Sequence, residues 1–231
     1  MRSKIKNEQG FNSLIADIDN LTVVIYGDIK SKPSSARRYS FLLQNLEQKN
    51  IALYSNDSSK EDIKKSVLET ITAFADGFAC HPAEMDTLHW LISMAILCDV
   101  ELEDFKHITK VIERDKVQDK LLDFLIKYKQ TDWTGNSQNF IQKIPYAELN
   151  KVIDETNAES GIKQLQNYLQ KKWYQGHDKM DTAWVDSHLK TKVNTYFGYW
   201  AWETAAIVKA KGWDDEKLKD QDYYPFDAMH W

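Results

Sequence analysis

The sequence predicts an all-α protein: a multi-helix bundle of stacked helical hairpins, with about nine helices and no significant sheet. Three observations carry this reading. Gly and Pro number only 8 and 4 in 231 residues, too few for the tight turns of a hairpin-rich β fold. Apolar residues recur three and four positions apart in one segment after another, which marks helices with one buried face. No segment of length alternates with period two, as a half-buried strand would.

Along residues 1–30, Leu14, Ile15, Ile18, Leu21 and Val24-Ile25 suit an amphipathic helix or an irregular arm. Pro33-Ser34-Ser35 then reads as a helix start. The helix it opens presents Phe41-Leu42, Leu46 and Leu53-Tyr54, and carries Arg37 and Arg38 in its first turn, where the helix dipole disfavours cations. Ser58 with Glu61 reads as a capping box. Behind it Ile63, Val67, Leu68, Ile71, Phe74, Ala75 and Phe78 keep the helical period, ending between Gly77 and Pro82. A helix over about 83–97 is apolar on most sides and therefore central. Leu102, Phe105, Ile108, Val111 and Ile112 form the next stripe, and Val117, Leu121, Leu122, Leu125 and Ile126 another. Thr131 to Asn136 is a loop and Pro145 opens a helix with Leu149, Val152 and Ile153. Ile162, Leu165, Tyr168 and Leu169 define one more, before an irregular stretch from Gln175 to Asp178. A last long helix is expected over about 190–211, with Gly212 as its C-terminal cap.

The formal charge is −5, unevenly placed. Residues 1–60 hold nine Lys/Arg against six Asp/Glu, whereas residues 212–231 hold six acids against two lysines. Without a concentrated basic surface, nucleic acid is a poor partner; a basic protein fits better. Cys80 and Cys98 sit in apolar surroundings and read as buried free thiols, which suits a cytoplasmic setting. The basic N-terminus has no apolar run behind it, so no signal peptide is expected. The most apolar run, Trp90 to Cys98, is too short for a membrane span.

No common catalytic motif is present: no Gly-x-Ser-x-Gly elbow and no phosphate-cradling glycine loop. His177, Asp178, Asp181, Asp186 and His188 crowd one stretch, but no two histidines have the spacing that sets a metal pair on one helix face. Glu203 is the residue that breaks ordinary patterning. It lies among Tyr199, Trp200, Ala201, Trp202, Ala205 and Ala206, and burying it unpaired would cost several kcal/mol or raise its pKa. It is either hydrogen-bonded to a Tyr, Trp or His from a neighbouring helix, or it faces a partner or ligand. Asp214, Asp215, Glu216, Asp220 and Asp222 form either a solvated acidic face or a face built to meet a basic protein.

The chain resembles the PoNi family, immunity proteins against PoNe-type polymorphic DNase toxins. The resemblance rests on Gly198-Tyr199-Trp200-x-x-Glu203-x-Ala205-Ala206, on the Asp214-Asp215 pair and on Tyr224-Pro225-x-Asp227. Trp173-Tyr174 followed by Trp184-x-x-x-His188 adds to it. Upstream, Arg38-Tyr39 to Phe78 resembles the smaller N-terminal domain of that family, with Ser55-Asn56-Asp57 standing where a glycine-containing turn is expected. The resemblance implies an N-terminal helical region over residues 1–82 and a C-terminal helical domain over 83–231. It implies a non-enzymatic bacterial cytoplasmic protein, monomer or homodimer, with no cofactor and no metal, that neutralises its cognate DNase toxin by binding. A DNase presents a basic groove to phosphate, so the acidic strip is the expected contact. The family-motif residues, including His188 and Asp227, are expected to be structural. Two other readings remain: a helical adaptor for a different protein, and a metal-dependent hydrolase using His177, Asp181, Asp186, His188 and Glu203.

Overall fold

A computed structural model describes residues 1–3, 5–31, 36–77, 85–189, 196 and 198–231. Among them every regular element is helical. The helices are α1 (Glu8–Ser31), α2 (Ala36–Ser55), α3 (Lys60–Gly77), α4 (Met85–Leu97), α5 (Leu102–Arg114) and α6 (Lys120–Lys129). Then come α7 (Asn150–Asp154), α8 (Ala158–Tyr168), α9 (Tyr174–Lys179), α10 (Trp202–Lys211) and α11 (Phe226–Met229). The all-α expectation therefore holds. The expected start at Pro33 to Ser35, Cys80, and residues 190–195 of the last long helix lie outside the described residues.

The chain divides into two compact units, neither continuous in sequence. The first comprises 1–80, 103–115 and 186–198; the second comprises 81–102, 116–185 and 199–231.

In the first unit α1, α2 and α3 pack in sequence, antiparallel. Asn45 Nδ2 donates to the Ile18 carbonyl and to Thr22 Oγ1, Asn56 reaches back to Asn12, and Asn50 donates to Thr70 Oγ1. α1 is a helix throughout, burying Phe11, Leu14, Ile18, Thr22, Ile25 and Ile29 along one stripe. The α3 cap sits one residue later than the capping-box expectation: Ser59 Oγ accepts from Asp62 N at 3.1 Å and donates to Asp62 Oδ2 at 2.7 Å. Asp57 takes φ 69°. It supplies in this chain the left-handed turn expected of a glycine, a conformation that Asp tolerates better than most residues.

In the second unit α4 is buried along nearly its whole length, as its unbroken apolar character requires, and α10 and α6 pack against it. Two expectations need correction here. Gln175 to Asp178 is helical, because α8 runs through a π turn (Leu169–Trp173) directly into α9. Gly176 permits this packing: a Cβ there would lie 2.7 Å from Pro145 Cβ. The last long helix starts only at Trp202. Gly198 adopts φ 85°, outside helical geometry, and Ala201 N donates to the Tyr223 carbonyl at 2.8 Å.

Candidate functional site: an acidic C-terminal face above a buried polar cluster

The C-terminal segment takes its shape from α10. Gly212 closes that helix in the left-handed conformation, φ 64°, as a C-terminal glycine should. Lys211 turns back to donate to the carbonyls of Ile153 and Glu155 at 2.6 and 2.8 Å, capping α7. Trp213 packs on Gly161, where any Cβ would overlap the indole. The chain then turns on Asp214, whose Oδ1 accepts from Glu216 N at 3.1 Å.

Asp215 is only 2 % exposed. Its carboxylate accepts from Tyr224 OH at 2.8 Å and from His230 Nε2 at 2.9 Å. This separates it from the rest of the acidic strip. Asp214, Glu216, Asp220 and Asp222 are exposed, while Asp215 holds the Tyr224-Pro225 turn against the segment that carries them. The exposed acids are interleaved with Lys217 and Lys219, and Lys219 lies 3.5 Å from Glu216. Gln166 and Gln170 fasten the segment from below through Lys217 O and Gln221. Asp227 is exposed in the first turn of α11.

Beneath this segment lies the cluster built around Glu203. Tyr168 OH donates to Glu203 Oε1 at 3.0 Å; Oε2 is buried with no hydrogen-bond partner. Burial pushes the Glu203 carboxyl up to about 7, against the opposing pull of its own backbone N–H, His177, Tyr168 and His89. His177 Nδ1 donates to the Trp173 carbonyl at 2.9 Å. Its Nε2 lies 3.5 Å from Asp86 Oδ1 and from Tyr146 OH. Tyr146 OH and Gln142 Nε2 both donate to Asp86 at 2.7 Å. The His89 ring packs tilted against Tyr146, centroids 4.3 Å apart, and its Nε2 donates to Asp119 at 3.2 Å.

Asp119 is also the N-cap of α6, accepting from Leu121 N and Leu122 N, with Ile141 N on its other oxygen. For Asp86 and Asp119 burial alone would raise the pKa. The bonds from His177, Tyr146 and Gln142 to the first, and from His89 and backbone amides to the second, outweigh it and hold both below the usual range. Burial, with Asp86 and Glu203 nearby, drives Tyr146 and Tyr168 well above theirs, so both remain donors.

A wall of rings encloses the cluster. Trp173 and Trp184 pack on His177, Tyr174 stacks on Tyr223, and Tyr199 meets Tyr174 edge-on at 5.3 Å. Trp200 is half-buried, with its ring 6.5 Å from Trp202. Ala205 and Ala206 are fully buried on α10. Tyr224 and Pro225 are buried too. His188 is half-buried in a short turn of the first unit. Glu203 is thus hydrogen-bonded to a Tyr from a neighbouring helix, the first of the two arrangements expected of it. Of the residues grouped with Glu203 in the hydrolase reading, His177 joins the cluster; Asp86, His89, Asp119 and Tyr146 were not tied to it by the sequence, since nothing in their spacing brings them together. Among the described residues no three His, Cys, Asp or Glu side chains converge as a metal site, and no helix is long and apolar enough to cross a membrane.

This is the architecture of a helical protein whose most concentrated polar chemistry is buried and whose C-terminal acids Asp214, Glu216, Asp220 and Asp222 lie exposed on a braced segment. Residues 117–228 match the family model of PoNe immunity proteins (PoNi), C-terminal. Over those residues, a little under half of the chain, it is similar to the PoNi family, and the resemblance seen in the Gly198 to Asp227 motifs is borne out. Protein PA2201 from Pseudomonas aeruginosa has a similar crystal structure, with TM-score 0.70 at 19% identity over 96% of this chain and 86% of that one; at that identity the likeness concerns the fold. No curated protein matches the sequence.

Proposed function

We propose that this chain is an immunity protein that binds a cognate bacterial DNase toxin and neutralises it by occupying its surface, without catalysis. The match of residues 117–228 to the PoNi C-terminal domain carries this reading. The toxin must offer a positive surface to phosphate. The exposed acids Asp214, Glu216, Asp220 and Asp222, held in place from beneath by Asp215, are the contact we assign to it. Complementary charge of this kind speeds encounter and fixes orientation more than it adds affinity. The protein acts in the cytoplasm of the cell that makes the toxin.

A rescue experiment tests the reading. The nuclease encoded beside this gene is expressed in bacteria with and without this protein, and growth and chromosomal DNA integrity are followed. Survival and intact DNA only with this protein, together with co-purification of the pair, are expected. A toxic neighbour that is neither rescued nor bound overturns the proposal.

A further inference from the structure

The outer face of α1 does not fit a helix that only covers a core. Its inner stripe is complete without it: Phe11, Leu14, Ile18, Thr22, Ile25 and Ile29 are buried. The opposite face of such a helix is ordinarily polar. Here it carries Val23 and Val24, 72 % and 60 % exposed. Ala16, Asn20 and Gly27 complete a stripe on the same side, all exposed. Gly27 has open space where a Cβ would be. Valine is a poorer helix former than Lys, Glu or Ala, so neither local propensity nor burial within the chain accounts for two adjacent exposed valines. Small side chains around a β-branched pair make a shallow surface against which another backbone can approach closely.

The charges around that surface indicate what covers it. α1 holds four acids and one lysine. Asp19 is engaged by Lys49 at 2.7 Å. Asp17 and Asp28 flank the valines along the exposed side. A second copy of this chain is a poor occupant. α1 carries four acids against one lysine, so pairing two copies through this helix brings two net negative surfaces together.

Resting on the immunity reading above, we propose that the outer face of α1, centred on Val23 and Val24 between Asp17 and Asp28, is a docking surface for an apolar patch of the nuclease flanked by Lys or Arg. Removing this apolar surface from water on docking contributes affinity in proportion to the area buried. The valines are then the affinity-setting contacts, and Asp17 and Asp28 orient the cationic rim.

The test uses the full chain and a catalytically inactivated form of the neighbouring nuclease, with Kd measured by titration calorimetry. Val23→Lys/Val24→Lys is expected to weaken binding by about 30-fold or more while thermal stability is kept or raised, since Lys favours a helix more than Val does. Val23→Ala/Val24→Ala removes the branched surface without adding charge, and is expected to weaken binding about tenfold in the same direction. Wild-type binding with both variants unchanged overturns this proposal and leaves the immunity reading standing. Absence of wild-type binding overturns the immunity reading and this proposal with it. Sedimentation of the free chain supplies the third outcome: a wild-type dimer that the variants dissociate, with nuclease binding intact, makes the face an interface between copies and overturns the proposal.

Discussion

A carboxyl buried among rings, with one oxygen held by Tyr168 and the other given no hydrogen bond, favours its protonated form. The Glu203 pKa, raised from 4.5 to about 7 by burial, turns this preference into a pH response. Between those values the folded chain binds more protons at this site than the unfolded one. Stability from this group is therefore fully present at the acid end and falls as pH rises through the folded pKa, by about 3 kcal/mol in all. Asp86 and Asp119 act with the opposite sign. Held below the usual 3.8, they contribute stability above that pH and lose it as pH falls, in a window more acidic than that of Glu203. Glu203→Gln should flatten the decline in unfolding free energy between about pH 5 and about pH 8, read from urea titrations. A variant that keeps the wild-type slope would show that the slope arises elsewhere.

At the level of elements, Asp119 joins the start of α6 to α4 and to the 140s loop through one carboxylate. Asp119→Ala removes a helix cap and leaves His89 buried without its partner, so a loss of about 3–5 kcal/mol is expected. A chain of this length would show it as a fall in Tm of about 10 °C or more. Gly161 gives a second test by a different mechanism. With Trp213 lying where a Cβ would be, Gly161→Ala should lower stability even though Ala favours a helix; a neutral or stabilising result would mean that Trp213 moves aside at little cost.

These elements also show what periodicity can reveal. The α3 stripe was legible because each apolar position serves one local face. The start of α10 was not, because Gly198 reads equally well as a packing glycine and as a left-handed turn, and only the hydrogen bond from Ala201 to Tyr223 decides between them. The π turn from Leu169 to Trp173 shifts every later side chain around the helix axis, so His177 could not be placed from the 3.6-residue repeat. The candidate site divides in the same way. Glu203 was visible because it breaks a local pattern, whereas Asp86, His89 and Asp119 are ordinary where they stand and acquire their role only where α4, α6 and α9 meet.

Over the whole molecule, the net charge of −5 matters less than which acids reach solvent. Asp215 counts toward the C-terminal charge but is consumed by Tyr224 and His230, and Lys217 and Lys219 dilute what remains. The strip is thus suited to steering a basic partner rather than holding it, because exposed charges act through encounter and are screened by salt. Reversing Asp214, Glu216 and Asp220 to Lys should slow association with the nuclease by about tenfold at low ionic strength and flatten its dependence on salt, while dissociation changes little. Substitution of the α1 valines should do the reverse, raising the dissociation rate and leaving the salt slope in place, because apolar contacts form after encounter. Stopped-flow association at several ionic strengths separates the two. If charge reversal leaves both the rate and its salt slope unchanged, the acidic strip is only a solvated face, and recognition of the nuclease falls to other surfaces of the chain.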